Sequence, residues 1–284
     1  MALRIEKAGE VGFCFGVRRA IDILRKVAAE RGGVETLGAV VHNQQVLQRL
    51  GEIGVRVVNV VDDIRGSAVA ISSHGVSPQL EEAIRARHID IIDTTCPFVR
   101  RAQVAVRRLA ESGFFVVIYG DVNHPEVKGV LGWAKDRGVA TLDEKFVTKL
   151  DYLPRRLGVL SQTTQIPARF TEFVKKFIDS ALVKDSELRI IDTICHDTRK
   201  RQAAAVKLAN RVDLMLVIGS HTSANTNRIV ELCSTATKTY LVETAEEIQP
   251  TWFQGQHYIG VTTGASTAME TVDEVVTKLE AMAY

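Results

Sequence analysis

Short apolar runs alternate along this chain with longer runs whose apolar positions recur every three to four residues. Strand-like stretches fall near 34–37, 114–119 and 213–218, and again near 68–72, 157–161 and 257–262. Helix-like stretches fall near 16–30, 98–112 and 198–210. Alternation of the two periods predicts α/β architecture with parallel sheets. The apolar run at Phe114–Tyr119 has the length of a strand, and no run approaches the ~18 residues of a membrane span.

The alternation repeats. GFCFGVRRAI at 12–21, TTCPFVRRAQ at 94–103 and TICHDTRKRQ at 193–202 each carry a cysteine at the end of an apolar stretch. A basic doublet follows at the fourth and fifth positions: Arg18–Arg19, Arg100–Arg101 and Arg199–Lys200. Cys14 to His42, Cys96 to His124 and Cys195 to Ser223 are each separated by 28 positions. Each endpoint precedes a helix-like run. A third landmark follows a strand in each copy, at His74, Thr163 and Ser266, lying 60, 67 and 71 positions after the cysteines. Three landmarks in one order, three times over, mark an internal repeat.

The repeat divides the chain into three α/β units at 1–92, 93–191 and 192–284. In parallel α/β sheets the loops after the strands form the binding crevice. All three landmarks follow strands. Three similar α/β units arranged around a pseudo-threefold axis would bring Cys14, Cys96 and Cys195 and the polar landmarks to one cavity.

Composition narrows the function. Hydrophobic residues make up 46% and charged residues 25%, with a net charge of +2. This is a globular balance that gives no reason to expect nucleic acid or an anionic membrane as partner. The first residues have neither the apolar core of a secretory signal nor transit-peptide character. A cytoplasmic protein without appended domains is expected. The four cysteines, at 14, 96, 195 and 233, form no close pairs, which disfavours zinc ribbons and a disulfide framework.

Helix N-termini favour thiolates, and thiolates hold iron–sulfur clusters, usually four to a cluster. Three equivalent cysteines would leave one iron open, as catalytic metals require; the alternative is three buried structural thiols. His42, His74 and His124 stand at strand-to-helix turns, where imidazole could help bind phosphate; the alternatives are satisfied turn histidines or metal ligands. Ser223, Asn225, Thr163 and Ser266 could complete such a cradle or simply cap helices. Glu126, two residues after His124, could deliver a proton or merely suit a first helical turn. Asp93 and Asp192, which could cap the helices behind their cysteines, are read as structural, and Cys233 as a core thiol. His88, His196, His221 and His257 have no matched landmarks and are read as structural.

These segments, with VVHNQQV, SSHGVSP, NHPEVKG, SQTTQ, SANTNR and TTGAST, span residues 12–267 in order. Together they resemble the family of 4-hydroxy-3-methylbut-2-enyl diphosphate reductases. The resemblance implies a trefoil of α/β domains around a [4Fe–4S] cluster held by Cys14, Cys96 and Cys195. The substrate's hydroxyl would bind the open iron and leave as water, consuming two electrons and two protons and giving isopentenyl and dimethylallyl diphosphate. His42, His74, Ser223, Asn225 and Ser266 would hold the diphosphate. His124 would do so as well and shape the proton path. Glu126 would supply the proton, with Thr163 near the hydroxyl, and ferredoxin or flavodoxin would supply electrons.

Two positions depart from the family pattern. Ala224 stands where a second serine is common, and Ala268 where proline is common. Two rival readings keep the cluster. A quinolinate-synthase-like enzyme would use it as a Lewis acid without net electrons. A redox sensor would need neither polar pocket nor internal acid.

Overall fold

The structure, a computed structural model, describes residues 3–149, 154–181 and 187–282. Its described strands form three four-stranded parallel sheets. The first contains β2 (Val34–Leu37), β3 (Val55–Val58), β4 (Ala68–Ile71) and β5 (Asp90–Asp93), in the order β3-β2-β4-β5. The second contains β6 (Phe115–Tyr119), β7 (Gly138–Thr141), β8 (Arg156–Ser161) and β9 (Glu187–Ile191), in the order β7-β6-β8-β9. The third contains β10 (Leu214–Ile218), β11 (Lys238–Val242), β12 (Tyr258–Thr263) and β1 (Arg4–Lys7), in the order β11-β10-β12-β1. The three orders are equivalent, so the α/β class and the threefold repeat hold.

The strand before each cysteine is an edge strand, and only β1 joins the sheet of a distant segment. β5 leads to Cys96 yet pairs with β4, and β9 leads to Cys195 yet pairs with β8. β1 leads to Cys14 and pairs with β12, from Arg4 against Tyr258 to Lys7 against Val261. Residues 4–7 thus fold with the sheet of the 192–284 segment.

Helices cover the sheets because strand residues alternate faces. In the second sheet, Val116, Ile118 and Leu160 meet Val99, Ala102, Val106 and Leu109 of α4 (Pro97–Glu111). Val117, Tyr119, Leu157 and Val159 meet Phe170, Phe173 and Phe177 of α6 (Pro167–Ala181) on the opposite face. The i, i+3, i+7 spacing on α4 gives one apolar stripe. Each fully buried phenylalanine contributes about 2–3 kcal/mol of transfer free energy. In the third sheet, Met215 and Val217 pack with Ala205 and Leu208 of α7 (His196–Ala209) and Ile229 of α8 (Ala224–Ser234). Leu214, Leu216 and Val261 pack with Val272, Val275 and Leu279 of α9 (Met269–Met282).

The chain forms two compact units. One holds the third sheet, from residues up to Arg18, Val41–Leu50 and His196 onward. The other, Arg19–Val40 and Gly51–Cys195, holds the first and second sheets. No helix among the described residues is long and apolar enough to cross a membrane.

Candidate active site

The order within each sheet reverses between its two central strands, and such switch points open crevices at the strands' carboxyl ends. In the second sheet those strands are β6 and β8. The loop after β6 carries His124 and Glu126, and the loop after β8 carries Thr163. α5 (Pro125–Leu131) starts with proline at its first position, where no N–H is needed. His124 caps it: Nδ1 accepts the Glu126 N–H at 3.1 Å. The proton of neutral His124 therefore sits on Nε2.

Glu126 is 3% exposed. Its Oε1 accepts the Thr163 N–H at 2.7 Å, and its Oε2 accepts the Thr163 hydroxyl at 2.8 Å. Burial pushes its carboxyl pKa up, against the two Thr163 hydrogen bonds that pull it down. The result is a carboxyl group that keeps its proton above the ordinary range. Thr163 also accepts, on its carbonyl, the Cys195 N–H at 2.9 Å. One residue thus ties the candidate acid to a candidate ligand.

His74 follows β4. Its ring stands edge-on to His124, with centroids 5.5 Å apart. Gly75, at φ +69°, makes the turn that carries it, and a Cβ there would lie 2.4 Å from Gln103 Nε2. The Cys96 N–H donates to the Ser73 carbonyl at 3.0 Å. Asp93 and Asp192 brace the turns ahead of the cysteines, accepting from the Thr95 and Ile194 N–H groups. The expected capping of the helices behind the cysteines is not what these bonds do, because the aspartates lie three residues too early.

In the other unit, Cys14 donates its N–H to the Ala265 carbonyl at 2.9 Å, as Cys96 and Cys195 do to Ser73 and Thr163. By this bond Thr163 corresponds to the residue before His74 and before Ser266, a one-position offset from the sequence landmarks. The Cys14 thiol is pushed up by burial, which outweighs the Val17 N–H at 3.5 Å and the charge of Arg201. The helix-terminus effect expected from sequence is present but smaller than desolvation.

Ser223 caps α8, its Oγ accepting the Thr226 N–H at 3.3 Å. This bond leaves its hydroxyl hydrogen to donate elsewhere. Asn225 is 5% exposed, and neither end of its amide has a partner among the described residues. A buried amide so left is costly unless a polar ligand meets it. Ser266 gives its hydroxyl to the His42 carbonyl at 3.4 Å. Burial holds the His42 pKa below its ordinary value.

Asn43, which stands at no repeat landmark, accepts the Val46 N–H on Oδ1 and donates from Nδ2 to the Ser266 carbonyl at 3.0 Å. It staples the two landmark loops together. Its one available sign was its place directly after His42. His221 pairs with Glu247 at 3.2 Å, a surface contact consistent with a structural role.

Cys14, Cys96 and Cys195 are half-buried and free of disulfides, whereas Cys233 is fully buried. Burial pushes the Cys233 thiol up to about 12, so it is an inert core residue. The three accessible, backbone-anchored thiols are the soft donor set an iron–sulfur group needs.

Parallel α/β units with thiols and a buried carboxyl group at their loops describe an enzyme of the oxidoreductase class. Residues 5–280 match the family model described as LytB protein, and the chain belongs to that family. It is 60% identical over 278 residues, 98% of either chain, to the 4-hydroxy-3-methylbut-2-enyl diphosphate reductase of Dehalococcoides mccartyi (strain CBDB1). It is 40% identical to the Geobacter metallireducens reductase of the same name, covering 98% of this chain and 97% of that one. A solved (E)-4-hydroxy-3-methyl-but-2-enyl diphosphate reductase, described as the terminal enzyme of the non-mevalonate pathway, matches at TM-score 0.70 and 36% identity, covering 98% and 99%. The Plasmodium falciparum E-1-hydroxy-2-methyl-but-2-enyl-4-diphosphate reductase matches at TM-score 0.90 and 25% identity, covering 98% and 88%.

Proposed function

We propose that this chain reduces (E)-4-hydroxy-3-methylbut-2-enyl diphosphate to isopentenyl and dimethylallyl diphosphate. The C–O bond at C4 breaks, the oxygen leaves as water, and two electrons and two protons are consumed. A [4Fe–4S] cluster on Cys14, Cys96 and Cys195 would pass the electrons, supplied by a ferredoxin or flavodoxin, and offer an open Lewis-acidic iron.

The observation that carries this reading is the buried Glu126 carboxyl group held by Thr163. A carboxyl kept protonated by burial can hand its proton to a departing oxygen. The Thr163 hydroxyl, which donates to Oε2, would stabilise the carboxylate left after the proton has gone. His124, with its proton on Nε2, would relay a proton or donate to an anion.

Diphosphate binding is assigned to His42, His74, His124, Ser223, Asn225 and Ser266. The unpartnered Asn225 amide supports an anionic or hydroxylic ligand there. Family membership supports the substrate class.

Anaerobically reconstituted protein, given reduced methyl viologen and the hydroxybutenyl diphosphate, should release both products by mass spectrometry. Iron-loaded protein that consumes no substrate would overturn the reading.

A further inference from the structure

Six positions after its cysteine, each repeat has a buried residue. In two copies it is alanine, Ala20 and Ala102, and in the third it is Arg201. Arg201 is 4% exposed. A guanidinium is rarely buried without a carboxylate partner, yet Arg201 makes no ion pair among the described residues. Its fork is shared between the 10–12 loop and Thr263 at the end of β12. Nη2 donates to the Gly12 carbonyl at 2.9 Å, and Nη1 donates to the Glu10 carbonyl at 3.0 Å and to Thr263 Oγ1 at 2.9 Å.

That loop leads into Cys14. Gly12 sits at φ +79°, a left-handed turn, and gives its own N–H to the same Thr263 hydroxyl at 2.9 Å. Asp197, on the helix of Arg201, accepts the Phe15 N–H at 3.2 Å. α7 therefore grips the Cys14 turn on both sides, from residue 10 to residue 15. No comparable buried cation stands at the alanine positions of the other two copies. Burial disfavours the Arg201 charge, and negative charge at Cys14, Glu10 and Asp197 favours it.

We propose that Arg201 is the positioning residue for Cys14: its fork fixes the 10–14 turn, and its charge is the fixed countercharge of the Cys14 thiolate. The second half rests on the reading of Cys14 as an iron ligand; the first does not. A positive charge beside one ligand favours the reduced, more negative cluster.

The test uses the full chain with Arg201→Lys, which keeps the charge but loses the fork, and Arg201→Gln, which loses the charge. In iron-free protein, amide exchange across residues 10–15 should quicken roughly ten- to hundredfold in both variants, the range expected for losing bonds to a charged donor. Exchange around Cys96 should stay at the wild-type rate. After reconstitution, Arg201→Gln should have a more negative midpoint potential than wild type, with Arg201→Lys between them. Unchanged exchange across 10–15, or a wild-type potential in Arg201→Gln, would overturn the proposal. Should the Gln variant not fold, Thr263→Val, which removes the shared hydroxyl, must quicken the same amides or the positioning role fails. A wild-type chain that takes up no iron would overturn the ligand reading, and the exchange comparison would then decide the positioning role alone.

Discussion

Thr163 gives both its backbone N–H and its hydroxyl to the carboxylate of Glu126, at 2.7 and 2.8 Å, inside the protein. The pair fixes the carboxyl plane. Glu126→Gln keeps the shape, and its amide oxygen can still accept from Thr163, but it has no acidic proton. Turnover should fall at least about a hundredfold, as for loss of a general acid, while iron content and fold stay as in wild type. Wild-type-like rates would remove Glu126 from the mechanism.

The same carboxyl group makes stability depend on pH. Its pKa is raised in the folded protein by burial. Folding therefore favours the protonated form. Glu126's contribution is complete below the ordinary value of 4.5 and is lost as pH rises from there through the raised pKa. Urea unfolding of iron-free protein should show stability falling with pH more steeply in wild type than in Glu126→Gln, by up to about 1.4 kcal/mol per pH unit. Equal slopes would mean that burial does not hold the proton there.

Asn225 separates binding from stability. Its buried amide has no partner among the described residues, so Asn225→Leu should leave iron-free protein as stable as wild type, or more stable by about 1 kcal/mol. The same change should raise KM for the diphosphate substrate at least about tenfold. A stability loss of several kcal/mol with normal KM would make the amide structural.

Cysteine substitutions should divide by accessibility. Cys233→Ala removes a fully buried thiol from the contact of α8 with the third sheet. It should cost about 1 kcal/mol in thermal unfolding and leave the iron–sulfur absorption unchanged. Cys96→Ser should abolish or cripple that absorption. The reverse pattern would refute the ligand set.

Much of this was readable in the chain. The central strands β2, β6, β10, β4, β8 and β12 and the helices α1 (Phe15–Arg31), α4 and α7 lie close to where the apolar pattern places them. These strands are largely buried on both faces, and β4, β6 and β10 are written in continuous apolar runs. The flanking strands β3, β7 and β11 are not marked in that way, because edge strands such as Gly138–Thr141 are only half covered. The exchange of β1 into the third sheet was hidden for another reason. A strand's sheet partner is set by tertiary packing, and RIEK alone carries no mark of Tyr258–Thr263.

At the site, spacing pointed to the residues at repeated landmarks, the cysteines and the turn histidines, and to Glu126 beside one of them. It did not find Arg201 or Asn43, whose roles are to hold other residues in place. Arg201 differs from its repeat equivalents Ala20 and Ala102, and that break in the pattern was its only sign. The basic doublet before it, Arg199–Lys200, is half-buried to exposed, and a third cation in the row carries no mark of burial.

Electron stoichiometry tests the central claim most directly. With reconstituted protein under anaerobic conditions, the account expects two reduced methyl viologens oxidised for each hydroxybutenyl diphosphate consumed, with both alkenyl diphosphates appearing in proportion. Substrate conversion without viologen oxidation would assign the cluster Lewis-acid chemistry alone and contradict the account.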